Sequence, residues 1–316
     1  MNIVKSFATC LELESPNSNI RGKKIEFAGR LCYRSESSIS DESYKTFISN
    51  IVKKGHLSVL EHESVSILVP VYKTYLENLL FDEFSMGRKF FEVSDLINET
   101  LVTANIRAWY EMFETFSFTT GIEISLYNTL QQEYDFIFTK KFDDNNNRYK
   151  LAQLENCSDD IYTKHQTVSF HVQCSRSISH QLVRHRLHSF SQESQRYCNY
   201  SSNKFGNSIN CIIPRSVEDD MDVVTISNFI DMYKQAEINY FSMIKKGVKP
   251  EIAREVLPNG TATQLVMTAN IDQWNRFLNL RLDSHAQYEA QFLAKQINEK
   301  INILKNSKRK NYGIRF

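Results

Sequence analysis

The sequence predicts an α+β fold in which an antiparallel sheet is flanked by long helices. Polar and apolar residues alternate over residues 65–69 and again over 167–173, with the period of two that half-buried antiparallel strands show. Apolar residues recur at helical spacing over residues 226–244 and 272–304, which predicts two long helices. None of the nine glycines forms a GxGxxG or GxxxxGK[ST] motif, so phosphate cradles of the Rossmann and P-loop types are excluded.

The first predicted elements are a surface helix and the loop that follows it. Residues 40–54 carry apolar side chains at helical spacing, with Ser40 or Asp41 as the predicted N-cap and Gly55 closing the C-terminal end. Residues 55–62 are predicted to form a loop that leads into the first strand.

The second strand is followed by a predicted helix over residues 177–186 and by an ordered loop over 187–202, which is rich in Ser, Gln, Asn and Tyr. The long helix that comes next is predicted to stop at Gly247. A short helix is opened by Pro250 and ends before Pro258.

The chain is predicted to form a single domain, residues 1–316, that carries an insertion at residues 71–163. The insertion contains the polar run 143–147, which predicts a flexible loop. The last long helix is followed by a basic tail, residues 305–315, that we expect to be solvated. No segment is apolar enough to span a bilayer and no secretory signal is present, so a cytoplasmic enzyme is expected.

An internal echo links the predicted insertion to the rest of the chain. The sequence Thr-Ala-Asn-Ile occurs twice with a tryptophan three residues later, and a His-led strand also occurs twice. The matching segments are residues 103–106 with Trp109 and 268–271 with Trp274, and residues 62–69 and 165–172. These matches leave open which copy of the strand belongs to the core.

Charge and cysteine usage narrow the possible partners. Lys plus Arg (38) nearly balances Asp plus Glu (37), so no global field favours nucleic acid or an anionic membrane. The six cysteines include no CxxC pair, which is typical of reduced cytosolic thiols. His185 and His188 alone offer too few ligands for zinc, and no metal is expected.

The densest chemical signal is a basic cluster at the end of the helix predicted over residues 177–186. Arg184, His185 and Arg186 would fan out around such a helix, and burying them together would need anionic partners. Arginine matches phosphate with a fixed fork of donors, and nearby hydroxyls and amides could contact a base or a ribose. The alternative is a charged helix end followed by a polar surface loop.

The pattern around this cluster resembles the flavin-dependent thymidylate synthase family. Arg-His-Arg is followed after seven residues by Ser194 and then by Arg196 and Tyr197, as in the signature of that family. Three further segments are similar to family motifs, namely residues 28–33, 55–62 and 253–287. The resemblance covers most of the chain outside the predicted insertion.

The resemblance implies a set of residues that bind deoxyuridylate (dUMP). These are Gln181, Arg184, Gln192, Glu193, Ser194, Gln195, Arg196, Arg254 and Arg281, with residues 192–196 wrapping the phosphate. Arg281 is implied to be catalytic, since a cation at the pyrimidine edge stabilises negative charge developing on the ring. His56 is either a second catalytic group near flavin and folate or a loop histidine satisfied by backbone.

The resemblance also implies FAD, held between subunits of a homotetramer. The implied contacts are Ser58, Arg184, His185, Arg186, Gln192, Asn270, Asp272 and Arg276. The implied reaction transfers a one-carbon unit from 5,10-methylenetetrahydrofolate to dUMP, with hydride from FAD that NADPH has reduced. Ser191 and Gln192 stand where many members of the family have Asn and Glu, and Asp272 and Arg276 are at positions where members vary.

Three other functions are compatible with parts of the sequence. A classical thymidylate synthase would need a cysteine nucleophile, but Cys198 lies in a polar loop without the required setting. A non-enzymatic nucleotide- or RNA-binding protein would use basic residues interleaved with aromatic ones, although the net charge is near zero. An inactive family member is disfavoured because every implied arginine is present.

Overall fold

The computed structural model describes residues 1–14, 22–81, 91–115, 121–142 and 148–312. The strands are β1 (Asn2–Ile3), β2 (Phe7–Cys10), β3 (Ser64–Val69), β4 (Phe91–Asp95), β5 (Thr100–Asn105), β6 (Lys150–Leu151), β7 (Thr167–Ser175), β8 (Ser189–Gln192), β9 (Asn210–Cys211) and β10 (Ala262–Asn270). The helices are α1 (Leu11–Glu14), α2 (Lys23–Leu31), α3 (Ser43–Lys53), α4 (Lys73–Phe81), α5 (Ile106–Thr115), α6 (Gly121–Glu133), α7 (Asp159–His165), α8 (Arg176–Leu182), α9 (Arg215–Asp220), α10 (Val223–Lys245), α11 (Pro250–Ala253), α12 (Ile271–Arg281) and α13 (Tyr288–Tyr312). Short 3-10 helices cover Glu36–Ser38, Leu57–His62, Leu154–Asn156, Asn203–Phe205 and Arg254–Val256.

The described strands form two four-stranded antiparallel sheets and one short parallel pair. The first sheet has the order β2-β7-β10-β8 and the second the order β4-β5-β3-β6, while β1 pairs with β9. The predicted mixture of helices with antiparallel sheets is therefore confirmed. Both predicted strands are present, as β3 and β7, with slightly wider bounds.

The first sheet is covered by the two C-terminal helices. Trp274 and Phe277 on α12 and Leu293 and Ile297 on α13 are fully buried in the same apolar cluster as the central strands. The indole Nε1 of Trp274 donates to the carbonyl of Val168 at 3.0 Å. The ring is therefore buried with its single N–H group hydrogen-bonded. α12 is thereby fixed against β7, and its last residue, Arg281, is held beside the end of α8.

The second sheet has a separate apolar core. Trp109 and Phe113 on α5 and Leu126 on α6 pack with β3 and β5 in one cluster of buried residues. Trp109 donates from Nε1 to the carbonyl of Val65 at 3.4 Å, as Trp274 does in the first sheet. Each of the two echoed strands thus belongs to the core of its own sheet, which answers the question that the sequence left open.

Three predicted element boundaries are correct. α3 ends before Gly55, which has a positive φ of 71°. α10 ends before Gly247, whose φ is 84°, and Pro250 occupies the first turn of α11. A glycine at these two turns avoids the steric cost that a Cβ atom would incur at positive φ.

Three predictions are wrong. The N-cap of α3 is Glu42 rather than Ser40 or Asp41, because the backbone N–H of Ser40 donates to the hydroxyl of Ser43 and holds a turn ahead of the helix. Residues 55–62 include a 3-10 helix rather than only a loop. The single helix predicted over residues 272–304 is two helices, since Asp283 accepts a hydrogen bond from the N–H of His285 and forms a turn between them.

The basic tail is also less solvated than predicted. Lys308 is only 4% exposed, with its Nζ atom 2.7 Å from Asp159 and over the ring of Tyr162. Residues 313–315 of the tail, and the polar run at 143–147, lie outside the described residues. Within the described part of the chain, no helix has the length and apolar character needed to cross a bilayer.

Candidate active site

The basic cluster lies on a turn and not on a helix. α8 ends at Leu182, and the N–H of His185 bonds to the carbonyl of Leu182, so the predicted extension of this helix to residue 186 is wrong. The turn separates two environments, because Arg184 and Arg186 are exposed whereas His188 is buried against Trp274. A continuous helix would have placed residues 184 and 188 on one face, whereas the turn allows one to be exposed and the other buried.

The segment after the turn is a strand at its start. β8 pairs with β10 from Ser189 opposite Thr268 to Gln192 opposite Leu265, so the loop predicted over residues 187–202 begins only after Gln192. The side-chain amide of Gln192 donates to the hydroxyls of Ser179 and Thr263 at 3.0 and 3.2 Å. Gln192 is thereby fixed beside the start of β10.

Arg281, Gln181 and His185 form one hydrogen-bonded cluster. Arg281 donates from Nε to Nε2 of His185 at 3.1 Å, from Nη1 to Oε1 of Gln181 at 3.3 Å and from Nη2 to the carbonyl of Gln181 at 2.9 Å. A guanidinium has five N–H groups, so these three bonds leave two free for a ligand. The structure therefore joins three of the predicted residues, although Arg281 lies 100 positions after Gln181 in the chain.

The electrostatics of this cluster keep His185 neutral. Burial and then the charge of Arg281 lower the pKa of His185 to about 4, and burial also lowers the pKa of Arg281. Because Nε2 accepts the bond from Arg281, the proton of the neutral ring is assigned to Nδ1. The cluster thus carries the single positive charge of a guanidinium whose orientation is fixed.

The loop after β8 divides into buried and exposed residues. Glu193 is buried, accepts a hydrogen bond from Tyr200 at 3.0 Å and pairs with Arg34 at 3.4 Å, and burial raises its pKa. Gln195 is also buried. The hydroxyl of Ser194 accepts a bond from the N–H of Arg196, whose side chain is exposed. Only part of the predicted phosphate loop therefore faces solvent.

Arg196 and Arg254 lie at the same edge of the molecule. Nε of Arg196 is 3.8 Å from Glu251, which precedes Arg254 by one helical turn. Arg254 itself lies 3.6 Å from Glu255. Within the described residues, no hydrogen bond or ion pair joins this pair of arginines to the cluster around Arg281.

A cleft of about 340 Å³ lies between the two sheets and includes two of the predicted flavin residues, Arg186 and Asn270. Arg186 has no carboxylate partner among the described residues. His188 also lines the cleft and is 7% exposed. Within the described part of the chain, neither of its ring nitrogens has a hydrogen-bond partner. An unsatisfied polar ring at a polar cleft is costly unless a ligand or water completes it. The opposite wall is formed by Glu61, Phe91, Glu92 and Asn105.

Three other predicted flavin contacts, Ser58, Asp272 and Arg276, have exposed side chains, as does the predicted catalytic residue His56. His56 and Ser58 are exposed at the start of the 3-10 helix Leu57–His62. Asp272 and Arg276 form an exposed ion pair of 3.1 Å on α12. Among the described residues, no hydrogen bond or ion pair joins these four side chains to Arg281 or Gln181. Direct contacts within a single chain therefore do not assemble every predicted residue.

Sequence reasoning missed three residues of the cleft region, His62, His188 and Glu92. His62 is fully buried, with Nδ1 2.8 Å from the hydroxyl of Thr268 and Nε2 2.9 Å from that of Ser191. The echo between residues 62–69 and 165–172 was the available signal for His62, because it marked the histidine that leads each strand.

Cys198 is unsuited to nucleophilic attack. It is fully buried, its Sγ atom contacts the carbonyl of Cys32, and burial raises the pKa of the thiol to about 12. Because the thiolate is the reactive form, such a thiol is inert at neutral pH. This geometry disfavours the classical cysteine-dependent route.

Comparison with known proteins gives consistent matches. Residues 18–74 and 127–303 match the family described as thymidylate synthase complementing protein. A flavin-dependent thymidylate synthase of Pyrococcus abyssi is 29% identical over 168 residues, which cover 51% of this chain and 65% of the relative. That of Saccharolobus solfataricus is 35% identical over 139 residues, covering 44% and 50%. The chain thus spans between half and two thirds of the length of these relatives.

A solved structure also matches part of the chain. It is described as a UMP/dUMP methylase PolB from Streptomyces cacaoi bound with 5-Br dUMP, and it is 26% identical. The match covers 44% of this chain and 67% of that one, with a TM-score of 0.38.

Proposed function

The chain belongs to the thymidylate synthase complementing protein family, and from this premise we propose that it is a flavin-dependent thymidylate synthase. The reaction is the reductive methylation of dUMP to dTMP, with 5,10-methylenetetrahydrofolate as carbon donor and NADPH as reductant. The observation that carries the proposal is the fixed guanidinium of Arg281, held between Gln181 and His185 with two N–H groups that no described residue accepts from. The relatives named as flavin-dependent thymidylate synthases support the same activity.

We propose that Arg281 is the catalytic cation at the edge of the uracil ring. A guanidinium that is already oriented stabilises negative charge developing on the ring without the cost of reorganisation. The neutral imidazole of His185 accepts from Nε and thereby helps to fix the orientation of the guanidinium. His56 is proposed as a second catalytic group, and its exposed position leaves it accessible to folate.

The dUMP phosphate is proposed to bind the exposed arginines. Arg184, Arg196 and Arg254 present guanidinium groups at the surface, and Arg196 and Arg254 share one edge. Further proposed dUMP contacts are Gln181, Gln192, Glu193, Ser194 and Gln195. Since Glu193 is buried and hydrogen-bonded to Tyr200, it acts by holding the loop in place.

FAD is the proposed cofactor, and bound FAD supplies the hydride that completes the methyl group. Its proposed contacts are Ser58, Arg184, His185, Arg186, Gln192, Asn270, Asp272 and Arg276. The cleft between the sheets fits an anionic, hydroxyl-rich group, because no described carboxylate pairs with Arg186 there and no described residue hydrogen-bonds to the buried ring of His188. These features make the diphosphate a chemically matched ligand for this wall.

A homotetramer with FAD sites at subunit interfaces is proposed as well. It is supported by the exposed positions of Ser58, Asp272 and Arg276, which a neighbouring subunit could complete. We propose a single catalytic domain over residues 1–316 with an insertion at 71–163. The family match is interrupted over residues 75–126, which supports only the first part of that insertion, because the match resumes at residue 127. A cytoplasmic setting is proposed on the six free cysteines.

The test is an assay of the purified protein with dUMP, methylenetetrahydrofolate and NADPH. A yellow protein should oxidise NADPH and form thymidylate, and removal of any one substrate should stop thymidylate formation. Thymidylate made by a preparation free of flavin would contradict the proposed route. Absence of thymidylate from flavin-loaded protein would contradict the activity itself.

A further inference from the structure

The two four-stranded sheets are built on one plan. We call the sheet of β3, β4, β5 and β6 the first copy and the sheet of β2, β7, β8 and β10 the second copy. In the first copy Ser66 on β3 lies opposite Thr103 on β5, and in the second copy Ser169 on β7 lies opposite Thr268 on β10. The flanking strands correspond too, since the order β4-β5-β3-β6 repeats as β8-β10-β7-β2. Because strand order, register and the following helix all agree, the chain contains two copies of one unit.

The contacts between the copies are reciprocal. Nδ1 of His62 in the first copy lies 2.8 Å from the Thr268 hydroxyl in the second, and Nδ1 of His165 in the second lies 2.7 Å from the Thr103 hydroxyl in the first. The Nε2 atoms also make equivalent contacts. Nε2 of His62 lies 2.9 Å from the Ser191 hydroxyl, and Nε2 of His165 lies 2.9 Å from the Ser94 hydroxyl. Such exchange of equivalent contacts is the signature of a two-fold interface, found here within one chain.

The cleft lies between the copies and is lined by equivalent residues from both. Asn105 and Asn270, at the ends of β5 and β10, are one such pair. The charges are not equivalent. Glu92 lies opposite Thr103 on β4, whereas Ser189 lies opposite Thr268 at the matching place on β8. The first copy therefore brings a carboxylate to a cleft whose other wall carries Arg186.

Glu92 is a half-buried carboxylate that the rest of the described chain does not use. No hydrogen bond or ion pair to it occurs among the described residues, and burial raises its pKa against the charges of Lys164 and Lys73. By contrast, Glu61 on the same wall is engaged by Arg107 at 2.7 Å and by the hydroxyl of Ser189 at 2.9 Å. Glu92 is thus available to a ligand.

The part of the cofactor in this cleft must lie away from the uracil. Gln181, His185 and Arg281 do not line the cleft, and the flavin ring has to meet the uracil beside Arg281. The cleft consequently suits the adenosine end of a flavin dinucleotide. A carboxylate at such a site is a favoured partner for ribose hydroxyls, which donate two hydrogen bonds to it.

Building on the proposed function, we propose that the first copy supplies one wall of the cofactor site in the same chain, with Glu92 accepting hydrogen bonds from the adenosine ribose of FAD opposite Arg186. The first copy thus forms a wall of the cofactor site that a second subunit could otherwise form. The first copy recognises the adenosine ribose through Glu92, while the second copy carries Arg184 and Arg186.

The test measures the dissociation constants of FAD and FMN for the parental protein, Glu92→Gln and Glu92→Ala, by flavin fluorescence. Loss of a charge-assisted contact should weaken FAD binding by about 10- to 100-fold in Glu92→Ala. Glu92→Gln keeps an acceptor oxygen and should fall between the two. FMN lacks the adenosine, so its affinity should be the same for all three proteins.

Asp95→Asn is the matched control, because Asp95 is an exposed carboxylate on the same strand and outside the cleft. It should bind FAD with the parental constant, and thermal melting checks that every variant is folded. Parental FAD affinity in Glu92→Ala would overturn the inference, as would equal weakening of FAD and FMN. Failure of the parental protein to bind FAD would instead overturn the proposed function, and this inference with it.

Discussion

Arg281 donates a hydrogen bond of 3.1 Å from Nε to Nε2 of His185, which lies 96 residues earlier in the chain. The contact joins the end of α12 to the turn after α8 and fixes both. Burial and then the charge of Arg281 lower the pKa of His185 to about 4, so the ring stays neutral and can accept this bond. The guanidinium is therefore oriented before any ligand arrives, which is the condition for efficient electrostatic catalysis.

Arg281→Ala should lower thymidylate formation by at least ~100-fold, the typical effect of removing one oriented donor from a developing charge. FAD should remain bound, since Arg281 does not line the cleft. Product chromatography and flavin absorbance give the two readouts. Arg281→Lys should recover little activity because lysine lacks the planar fork. Arg148→Ala, at an exposed arginine, is the control; parental turnover in Arg281→Ala would remove the residue from catalysis.

Arg196→Ala should weaken dUMP binding by roughly 2 to 3 kcal/mol, because it removes a charge-assisted contact to a phosphate. Its effect on folding stability should be within about 0.5 kcal/mol, as the side chain is exposed. Glu251→Gln removes the carboxylate that now faces Arg196 at 3.8 Å, so dUMP should bind at least as well. Calorimetric titration distinguishes these cases, and equal dUMP affinity in Arg196→Ala would exclude the residue from the site.

The sequence was sufficient for features that depend on local pattern. The alternation at residues 167–173 predicted β7, and Gly247 marked the end of α10. The prediction of one helix over residues 272–304 was wrong because helical periodicity continues through the break between α12 and α13. That break depends on the carboxylate of Asp283, which caps a turn. The bond between His62 and Thr268 joins residues 206 positions apart, so only the tertiary structure could show it.

Cys198→Ala should retain thymidylate synthesis. The thiol is buried with its pKa raised to about 12, so it contributes packing and not a nucleophile. A stability loss of roughly 1 kcal/mol is expected from the small cavity. Cys174→Ala, which removes another buried thiol from β7, should behave alike in activity and in urea unfolding. Selective loss of turnover in Cys198→Ala would favour the cysteine-dependent mechanism.

The buried histidines between the copies should make folding stability sensitive to acid. Burial lowers the pKa of His62 to about 3 and that of His165 to about 4, below the ordinary value of 6.5. Between pH 4 and pH 6.5 these two histidines bind more protons in the unfolded chain than in the folded one. Their contribution to the free energy of unfolding is therefore fully present above about pH 6.5 and is lost as the pH falls towards 4.

Each such histidine adds at most ~1.4 kcal/mol per pH unit to this slope. His62→Gln should lower stability at pH 7, because it breaks the bonds to Thr268 and Ser191. Between pH 7 and pH 5 it should also make the free energy of unfolding less dependent on pH, by the slope that corresponds to about one bound proton. His285→Gln, at a side chain that is 95% exposed, is the control. Urea unfolding at several pH values measures both effects. An unchanged slope in His62→Gln would mean that this histidine is not held neutral between the two copies.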